Sequence, residues 1–83
     1  MREKLRLSVS LISYNEESDI GRTLSSIEDL ASEIIVVDSH STDKTREIAE
    51  SYGARVFEED WKGHIAQKNS ALGKCTQEWI LFL

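Results

Sequence analysis

The sequence contains no proline, only one cysteine and no long hydrophobic run. A single thiol cannot form an internal disulfide, and without Cys or His partners at ligand spacing it cannot build a zinc site. No apolar stretch approaches the roughly 18 residues of a transmembrane helix, and the N-terminus lacks the pattern of a signal peptide. We therefore expect a cytoplasmic chain that, at 83 residues, forms at most one domain.

Basic residues are also in deficit. Ten Lys and Arg against fifteen Asp and Glu leave a formal net charge of −5. An acidic chain is poorly suited to binding nucleic acid phosphates, so we expect no nucleic acid partner. With 40% hydrophobic and 30% charged residues, the composition is that of a folded domain rather than a disordered segment.

Short apolar runs alternate with segments of helical periodicity along the chain. Strands are predicted at residues 5–14, 33–38, 54–57 and 79–83, and helices at residues 16–30, 44–52 and 63–73. Asn15 is predicted to cap the first helix, Gly53 to end the second, and Ile65, Ala66 and Leu72 to face the core from the third. The order βαβαβαβ predicts an α/β fold, a Rossmann-like, mostly parallel four-stranded sheet with helices on both faces.

The sequence stops at Leu83 inside its last apolar run, without a following turn or polar tail. We therefore expect residues 1–83 to form a single, truncated α/β domain. The last strand is expected beside the first, as an exposed edge that carries Trp79, Ile80, Leu81 and Phe82. Because unpaired apolar edges recruit other chains, we expect self-association through this edge.

Two side chains stand where the first two strands end. Tyr14 ends the first strand and Asp38 ends the second, and the carboxyl ends of parallel strands form the rim where ligands bind. A planar ring and a carboxylate suit a nucleobase, which stacks on one and donates an N–H to the other. Residues 13–18, Ser-Tyr-Asn-Glu-Glu-Ser, lack the glycines of a dinucleotide-binding turn. The alternative is structural: a half-buried aromatic at the strand end and an aspartate that orders its own turn.

Four segments of the sequence carry recognisable motifs: residues 9–17 (VSLISYNEE), 34–45 (IIVVDSHSTDKT), 67–69 (QKN) and 78–83 (EWILFL). Together they resemble family 2 glycosyltransferases of the GT-A fold. Within that family the chain resembles bacterial enzymes that add sugars to the lipopolysaccharide core. The resemblance implies the N-terminal, nucleotide-binding part of an enzyme that transfers a sugar from a nucleoside-diphosphate sugar, most commonly a UDP-sugar, to an acceptor hydroxyl. It also implies a role in lipopolysaccharide or other cell-envelope glycan synthesis.

The resemblance assigns roles to four residues of this sequence. Tyr14 would pack on the base, Asp38 would bond its edge, Glu16 would lie in the same pocket, and Lys68 would lie near the base or diphosphate. The alternative for Lys68 is a solvated helix lysine.

The metal and the catalytic base are expected outside this sequence. In the family, the last strand leads into an Asp-X-Asp motif that binds Mn²⁺ or Mg²⁺ and the donor diphosphate, and the catalytic base lies further on. Both would fall beyond Leu83. We therefore expect no metal, no catalytic residue and no transferase activity in these 83 residues alone. The whole enzyme is expected at the inner face of the membrane, as a peripheral protein.

The other chemistry-bearing side chains have structural interpretations. His40 and His64 lack partners at metal-ligand spacing, Cys75 is a packing residue rather than a nucleophile, and Trp61 and Trp79 are core or contact aromatics without a site role. His40 stands in a turn where relatives often have glycine, so a positive φ there would carry some cost, which histidine tolerates better than most residues.

A second function class stays open at this point. A non-enzymatic, receiver-like α/β interaction module would use Asp38 and the acidic first helix as a switch surface. A receiver also needs a lysine and a third-strand aspartate at the same rim, and this sequence does not have them in those places.

Overall fold

The computed structural model describes residues 5–83, and residues 1–4 of the expected domain lie outside the described part. In chain order the elements are β1 (Leu5–Ser13), α1 (Ile20–Ser25), β2 (Ala31–Asp38), α2 (Thr45–Ser51), β3 (Arg55–Glu58), α3 (His64–Gly73) and β4 (Trp79–Phe82). All strand pairs are parallel, and the sheet order is β3-β2-β1-β4. The predicted α/β order, the parallel sheet and the position of β4 beside β1 are confirmed.

The sheet has helices on both faces, as predicted. Successive residues of a strand point to opposite faces, so each strand supplies two sets of side chains. On the α1/α2 face the buried core contains Val9, Leu11, Ile20, Leu24, Ala31, Ile34, Val36, Ala49 and Ala54. On the α3 face it contains Ile35, Val37 and Ala71. Ser8 and Ser10 are also fully buried, and alternation along β1 places them on the α3 face.

The first helix is shorter than predicted at both ends. Asn15 does not cap it, because Asp19 occupies the N-cap position and the helix begins at Ile20. The hydroxyls of Ser25 and Ser26 donate to the carbonyls of residues 22 and 23, which offers the backbone an alternative to further helical turns. Residues 26–30 therefore form turns instead of the predicted helix, and the chain reverses into β2.

The predicted core face of α3 is wrong. The side chains that α3 buries are Gln67 and Ala71, whereas Ile65 is 79% exposed and Ala66 and Leu72 are exposed as well. The physical reason lies in the segment that follows β3. Glu59 accepts a hydrogen bond from the Ser70 hydroxyl at 2.6 Å and pairs with Lys74 at 2.7 Å. These polar contacts fix the rotation of the helix about its axis.

Candidate functional site

The strand register brings the ends of β1 and β2 side by side. Ser13 pairs with Asp38, so Tyr14 and Asp38 share one rim of the sheet, as predicted. Because all strands are parallel, the loops that follow β1, β2 and β3 all start at this rim.

The predicted end of the second helix is confirmed, since Gly53, with φ 84°, follows α2.

The loop after β1 is tied to the loop after β2 by backbone donors. The N–H of Asn15 donates to Ser41 Oγ and that of Glu16 donates to Thr45 Oγ1, both at 2.8 Å. In return, the Thr42 N–H donates to Asn15 Oδ1 at 2.8 Å. Asn15 has φ 49°, a left-handed conformation that asparagine tolerates better than most residues. These hydrogen bonds join the loop after β1 and the loop after β2 into one unit.

Asp38 is fully buried at the base of this unit. Its Oδ1 accepts hydrogen bonds from the hydroxyls of Ser13 at 2.7 Å and Ser41 at 2.6 Å, and its Oδ2 accepts one from the Ser41 N–H at 2.7 Å. Arg46 Nε lies 3.9 Å from Oδ2. These donors and this cation compensate for removing a carboxylate from water. Asp38 therefore orders the turn after β2, and its contact with a base stays a prediction.

A cavity of about 490 Å³ opens at the same rim. It is lined by Ile12, Ser13, Tyr14, Glu16, Ser39, Trp61 and His64. Tyr14 is 57% exposed and Trp61 is 54% exposed, so two aromatic side chains are accessible to a ligand there. The Trp61 ring packs edge-to-face on His64, with centroids 4.9 Å apart. A cavity of this size, lined by aromatic rings and a few polar groups, is typical of small-molecule sites.

The four predicted site residues do not share one position. Tyr14 and Glu16 line the cavity, whereas Asp38 lies buried below it. Lys68 is exposed on α3, one turn after His64 and so on the same side of that helix. Within residues 5–83, Lys68 has neither an ion pair nor a hydrogen bond through its side chain. The structure thus brings together two of the four and leaves a free basic group on the helix that borders the cavity.

The charge near the cavity is negative. Partial burial raises the pKa of Glu16 above 4.5, and the negative charges of Asp19, Asp38 and Asp43 raise it further. Such surroundings disfavour an anionic group next to Glu16. A phosphate-bearing ligand would therefore place its phosphates away from Glu16, towards a basic side chain.

Trp61, His64 and Ser39 are cavity residues to which the sequence interpretation assigns no role. Trp61 is not a core residue, because more than half of its side chain is exposed, and the other interpretation, an aromatic that contacts another domain, stays a prediction. One signal was available: a connection that leaves a parallel strand starts at the same rim, so residues 59–64 had to lie beside the ends of β1 and β2. Ser39 directly follows Asp38, and alternation turns it to the α3 face.

His40 anchors the segment that leads to Trp61. Its φ of 56° lies in the left-handed region, which histidine tolerates better than most residues. The ring lies 2.8 Å from Asp60 Oδ1 and 3.3 Å from Glu58 Oε2. Both contacts raise the pKa of His40 above 6.5, and the contact with Asp60 has the larger effect. Arg46 also pairs with Glu58 at 2.6 Å. His40 and Arg46 together hold residues 58–60 against the end of β2.

The described part of the chain offers no metal centre. No group of three or more His, Cys, Asp and Glu side chains in residues 5–83 is arranged to hold a metal ion. Burial raises the pKa of the Cys75 thiol, which suits its packing against the α3 core and not a nucleophilic role. Among the helices of residues 5–83, all are too short or too polar to cross a membrane.

The sequence model described as "Glycosyl transferase family 2" matches residues 8–83. The chain belongs to this family. It is 46% identical over 76 residues to an uncharacterized glycosyltransferase of Rickettsia bellii, an alignment that covers 92% of this chain and 26% of that protein. It is 42% identical over 84 residues to the lipopolysaccharide core biosynthesis glycosyltransferase LpsC of Rhizobium meliloti, which covers 95% of this chain and 31% of LpsC.

Solved structures of similar proteins have the same fold. Glucosyl-3-phosphoglycerate synthase from Mycobacterium tuberculosis, in complex with Mn²⁺, UDP and glucosyl-3-phosphoglycerate, superimposes with a TM-score of 0.79 at 30% identity, over 93% of this chain and 32% of that one. The mannosyltransferase PcManGT from Pyrobaculum calidifontis, in complex with GDP-Man and Mn²⁺, superimposes with a TM-score of 0.75 at 29% identity, over 90% of this chain and 26% of that one. The fold is therefore the Rossmann-like part of a GT-A glycosyltransferase.

This chain spans about a quarter to a third of the length of the family members it matches. Membership of the family decides against the receiver-like module. The resemblance to lipopolysaccharide core enzymes is confirmed at the level of the family and of the relative LpsC.

Proposed function

We propose that this chain forms the donor-nucleotide pocket of a glycosyltransferase that transfers a sugar from a nucleoside-diphosphate sugar to an acceptor hydroxyl. The cavity at the ends of β1 and β2, with the exposed rings of Tyr14 and Trp61, carries the proposal. A nucleobase has a π-face that stacks on such rings, at about 1–3 kcal/mol per base. The site lies at the carboxyl ends of parallel strands, where open α/β sheets bind ligands.

Tyr14 stacks on the base in this proposal, and Glu16 faces the ribose. A ribose hydroxyl is a hydrogen-bond donor that a carboxylate accepts. Trp61 and His64 complete the aromatic wall and exclude water from the base. Lys68 neutralises part of the diphosphate charge, since it is exposed beside the cavity and free of an ion pair within the described residues.

Asp38 supports the pocket in one of two ways that an experiment can separate. Its burial and its three hydrogen bonds favour a positioning role, because the carboxylate has no exposed surface. If it instead bonds the base edge, Asp38→Asn changes the order of preference among UDP, CDP and GDP. If Asp38 only holds the loops in place, Asp38→Asn weakens the binding of all three nucleotides by a similar factor.

The metal of the whole enzyme lies outside the described residues in this proposal. Relatives were solved with Mn²⁺, and a divalent ion bound to the diphosphate would stabilise the leaving group. Residues 5–83 have no cluster to hold it. The 83-residue chain alone is therefore expected to bind a nucleotide without transferring sugar, and donor-dependent transfer by the purified chain would contradict this.

The donor and the pathway are proposed from the relatives. UDP and GDP-mannose occur in solved family members, and UDP is the first ligand to test. The likeness to LpsC supports a lipopolysaccharide acceptor as part of this proposal, and with that acceptor we propose that the whole enzyme acts in the cytoplasm at the inner face of the membrane.

The test is an NMR titration of the ¹⁵N-labelled chain with UDP, CDP and GDP, with and without Mn²⁺. The account predicts saturable shifts at Tyr14, Ser39 and His64, with a weak dissociation constant that Mn²⁺ does not change. Two exposed tryptophans provide a matched pair of variants. Trp61→Ala should weaken UDP by about tenfold, because the ring lines the cavity.

Trp79→Ala is the control, since Trp79 is 68% exposed on β4, at the opposite end of its strand from the rim. It should leave UDP binding unchanged. Equal effects of the two variants, or an absence of binding by any nucleotide, would contradict the proposed function.

A contact between chains is the second part of the proposal. β4 pairs with β1 on one side only, and all residues from 79 to 83 are exposed. Such an apolar edge pairs readily with another strand. We expect concentration-dependent self-association in analytical ultracentrifugation, reduced by Leu81→Lys, whereas a monomer at high concentration would contradict it.

A further inference from the structure

Gln67 is the one large polar side chain that α3 buries completely. It is 0% exposed and lies one turn before Ala71, which belongs to the buried core on the α3 face of the sheet. Its Nε2 lies 3.3 Å from Ser39 Oγ, whereas its Oε1 has no hydrogen-bond partner among the described residues. A buried amide with an unpaired oxygen costs folding free energy, so its presence needs a reason.

The hydrogen-bonding groups of Gln67 and Ser39 favour one of the two orientations of the Gln67 amide. In the observed orientation one N–H of Nε2 donates to Ser39, and the second N–H and Oε1 stay unpaired. The flipped orientation would let Oε1 accept the Ser39 hydroxyl, but it would leave both N–H groups of the amide unpaired. The two orientations thus differ in whether the oxygen or a second N–H is unpaired, and a buried carbonyl oxygen without a partner is tolerated more often than a buried N–H without one. The observed orientation is therefore favoured.

This orientation leaves the Ser39 hydroxyl hydrogen available to a ligand. Ser39 lines the cavity, and its backbone N–H is fixed by a hydrogen bond to the Ser13 carbonyl at 2.9 Å. Because Ser39 Oγ accepts from Gln67, its O–H is free to donate elsewhere. No acceptor for it lies within hydrogen-bond distance among residues 5–83. The carboxylate of Asp38 is covered by its own chain, so Ser39 is the polar group that faces the cavity next to it.

We propose that Gln67 is a positioning residue that fixes the Ser39 hydroxyl as a donor into the cavity, so that the pocket selects bases with a carbonyl oxygen over bases with an amino group at that point. Uracil and guanine carry a carbonyl where cytosine and adenine carry an amino group. The amino group cannot accept the Ser39 hydrogen bond, and both donors are then left unpaired. This inference rests on the proposed nucleotide site and adds its base preference.

The test compares nucleotides that differ at this group and stack alike. Dissociation constants of UDP, CDP, GDP and ADP are measured on the chain by NMR titration. One mismatched hydrogen bond corresponds to about a tenfold preference, so UDP should bind about ten times more tightly than CDP, and GDP more tightly than ADP. The ratio of the two constants, and not the affinity itself, is the readout, because a loss of packing lowers both alike.

Three variants separate positioning from packing. Gln67→Met keeps the volume and removes the amide, and Ser39→Ala removes the hydroxyl; each should lower the UDP/CDP preference to about twofold or less. Gln67→Glu supplies only an acceptor to Ser39, which should turn the hydroxyl towards the helix and shift the preference to CDP. Gln77→Met is the matched control, since Gln77 lies before β4 at the opposite rim, and it should leave the ratio unchanged.

The outcomes are distinct. A ratio that survives Gln67→Met and Ser39→Ala, or a wild-type chain that binds UDP and CDP equally, overturns the inference and leaves the nucleotide pocket standing. If no nucleotide binds the wild-type chain, the proposed function itself fails. If Gln67→Glu does not fold, as judged by circular dichroism, the other two variants decide.

Discussion

The two faces of the sheet differ in how they are filled. The α1/α2 face has nine buried apolar residues, contributed by β1, β2, both helices and Ala54, which directly precedes β3. The α3 face has three, with buried Ser8, Ser10 and Gln67 in places where the other face has hydrocarbon. The two faces therefore have different roles. The α1/α2 face stabilises the fold, whereas the α3 face borders the cavity and holds polar groups that a ligand can contact.

The largest expected effect comes from opening the α1/α2 core. Leu24→Ala removes a fully buried side chain and should lower the free energy of unfolding by about 2–5 kcal/mol in a urea titration. Ile65→Ala on α3 is the control, because that side chain is 79% exposed, and its effect should stay within about 0.5 kcal/mol. Similar losses in the two variants would contradict the assignment of the α3 faces.

A matched pair on β2 sharpens the comparison. Val36 and Val37 are both 0% exposed and point to opposite faces. Val36→Ala and Val37→Ala should each cost about 2 kcal/mol of stability, from lost transfer energy and the cavity left behind. Only Val37→Ala should also weaken UDP, since it loosens the face that borders the cavity. Equal UDP affinities in the two variants, measured below their unfolding transitions, would show that the faces are not functionally distinct.

The variant Glu16→Gln tests how much an ionised carboxylate at the rim lowers the stability of the fold. A raised pKa means that the folded chain holds the proton more tightly than the unfolded chain, so stability falls as the pH rises above 4.5. At pH 7 the variant should melt about 1–2 °C higher, a small effect because solvent screens this partly exposed group. Below pH 4.5 the difference should disappear, because the carboxyl is then protonated in both states. UDP should bind the variant more weakly. If the variant and the wild-type chain have the same Tm both at pH 7 and below pH 4.5, the cost assigned to the Glu16 carboxylate is contradicted.

The smallest expected effect is at His40. Because its pKa is raised in the folded chain, the stabilisation by Asp60 and Glu58 is present in full below pH 6.5 and is lost as the pH rises through the folded value. His40→Asn keeps a residue that tolerates the left-handed backbone and removes the charge. The Tm of the wild-type chain should fall relative to this variant as the pH rises above 6.5. Parallel Tm curves would argue against the ion pairs.

The sequence predicted the sheet better than it predicted the helices. Strand runs such as residues 34–37 are continuous and apolar, so their type, order and parallel pairing follow from local pattern and chirality. The rotation of α3 does not, because it depends on polar contacts of Glu59 with Ser70 and Lys74 across the fold. The end of α1 depends likewise on serine hydroxyls that compete for its carbonyls.

The candidate site was predictable in part. Tyr14 and Asp38 are found at one rim because the strand ends determine where they lie. The burial of Asp38 and the place of Trp61 in the cavity were not predictable, since both depend on how three loops pack together. Gln67 reads in the sequence as one polar residue of a helix, and only its contact with Ser39 gives it a role to test.

The most direct test of the central claim is a set of intermolecular NOEs between UDP and the labelled chain. The account predicts NOEs from the uracil H5 and H6 protons to the ring of Tyr14 and to the indole of Trp61. Saturable UDP binding with base NOEs to residues away from this cavity, and none to Tyr14, would contradict it.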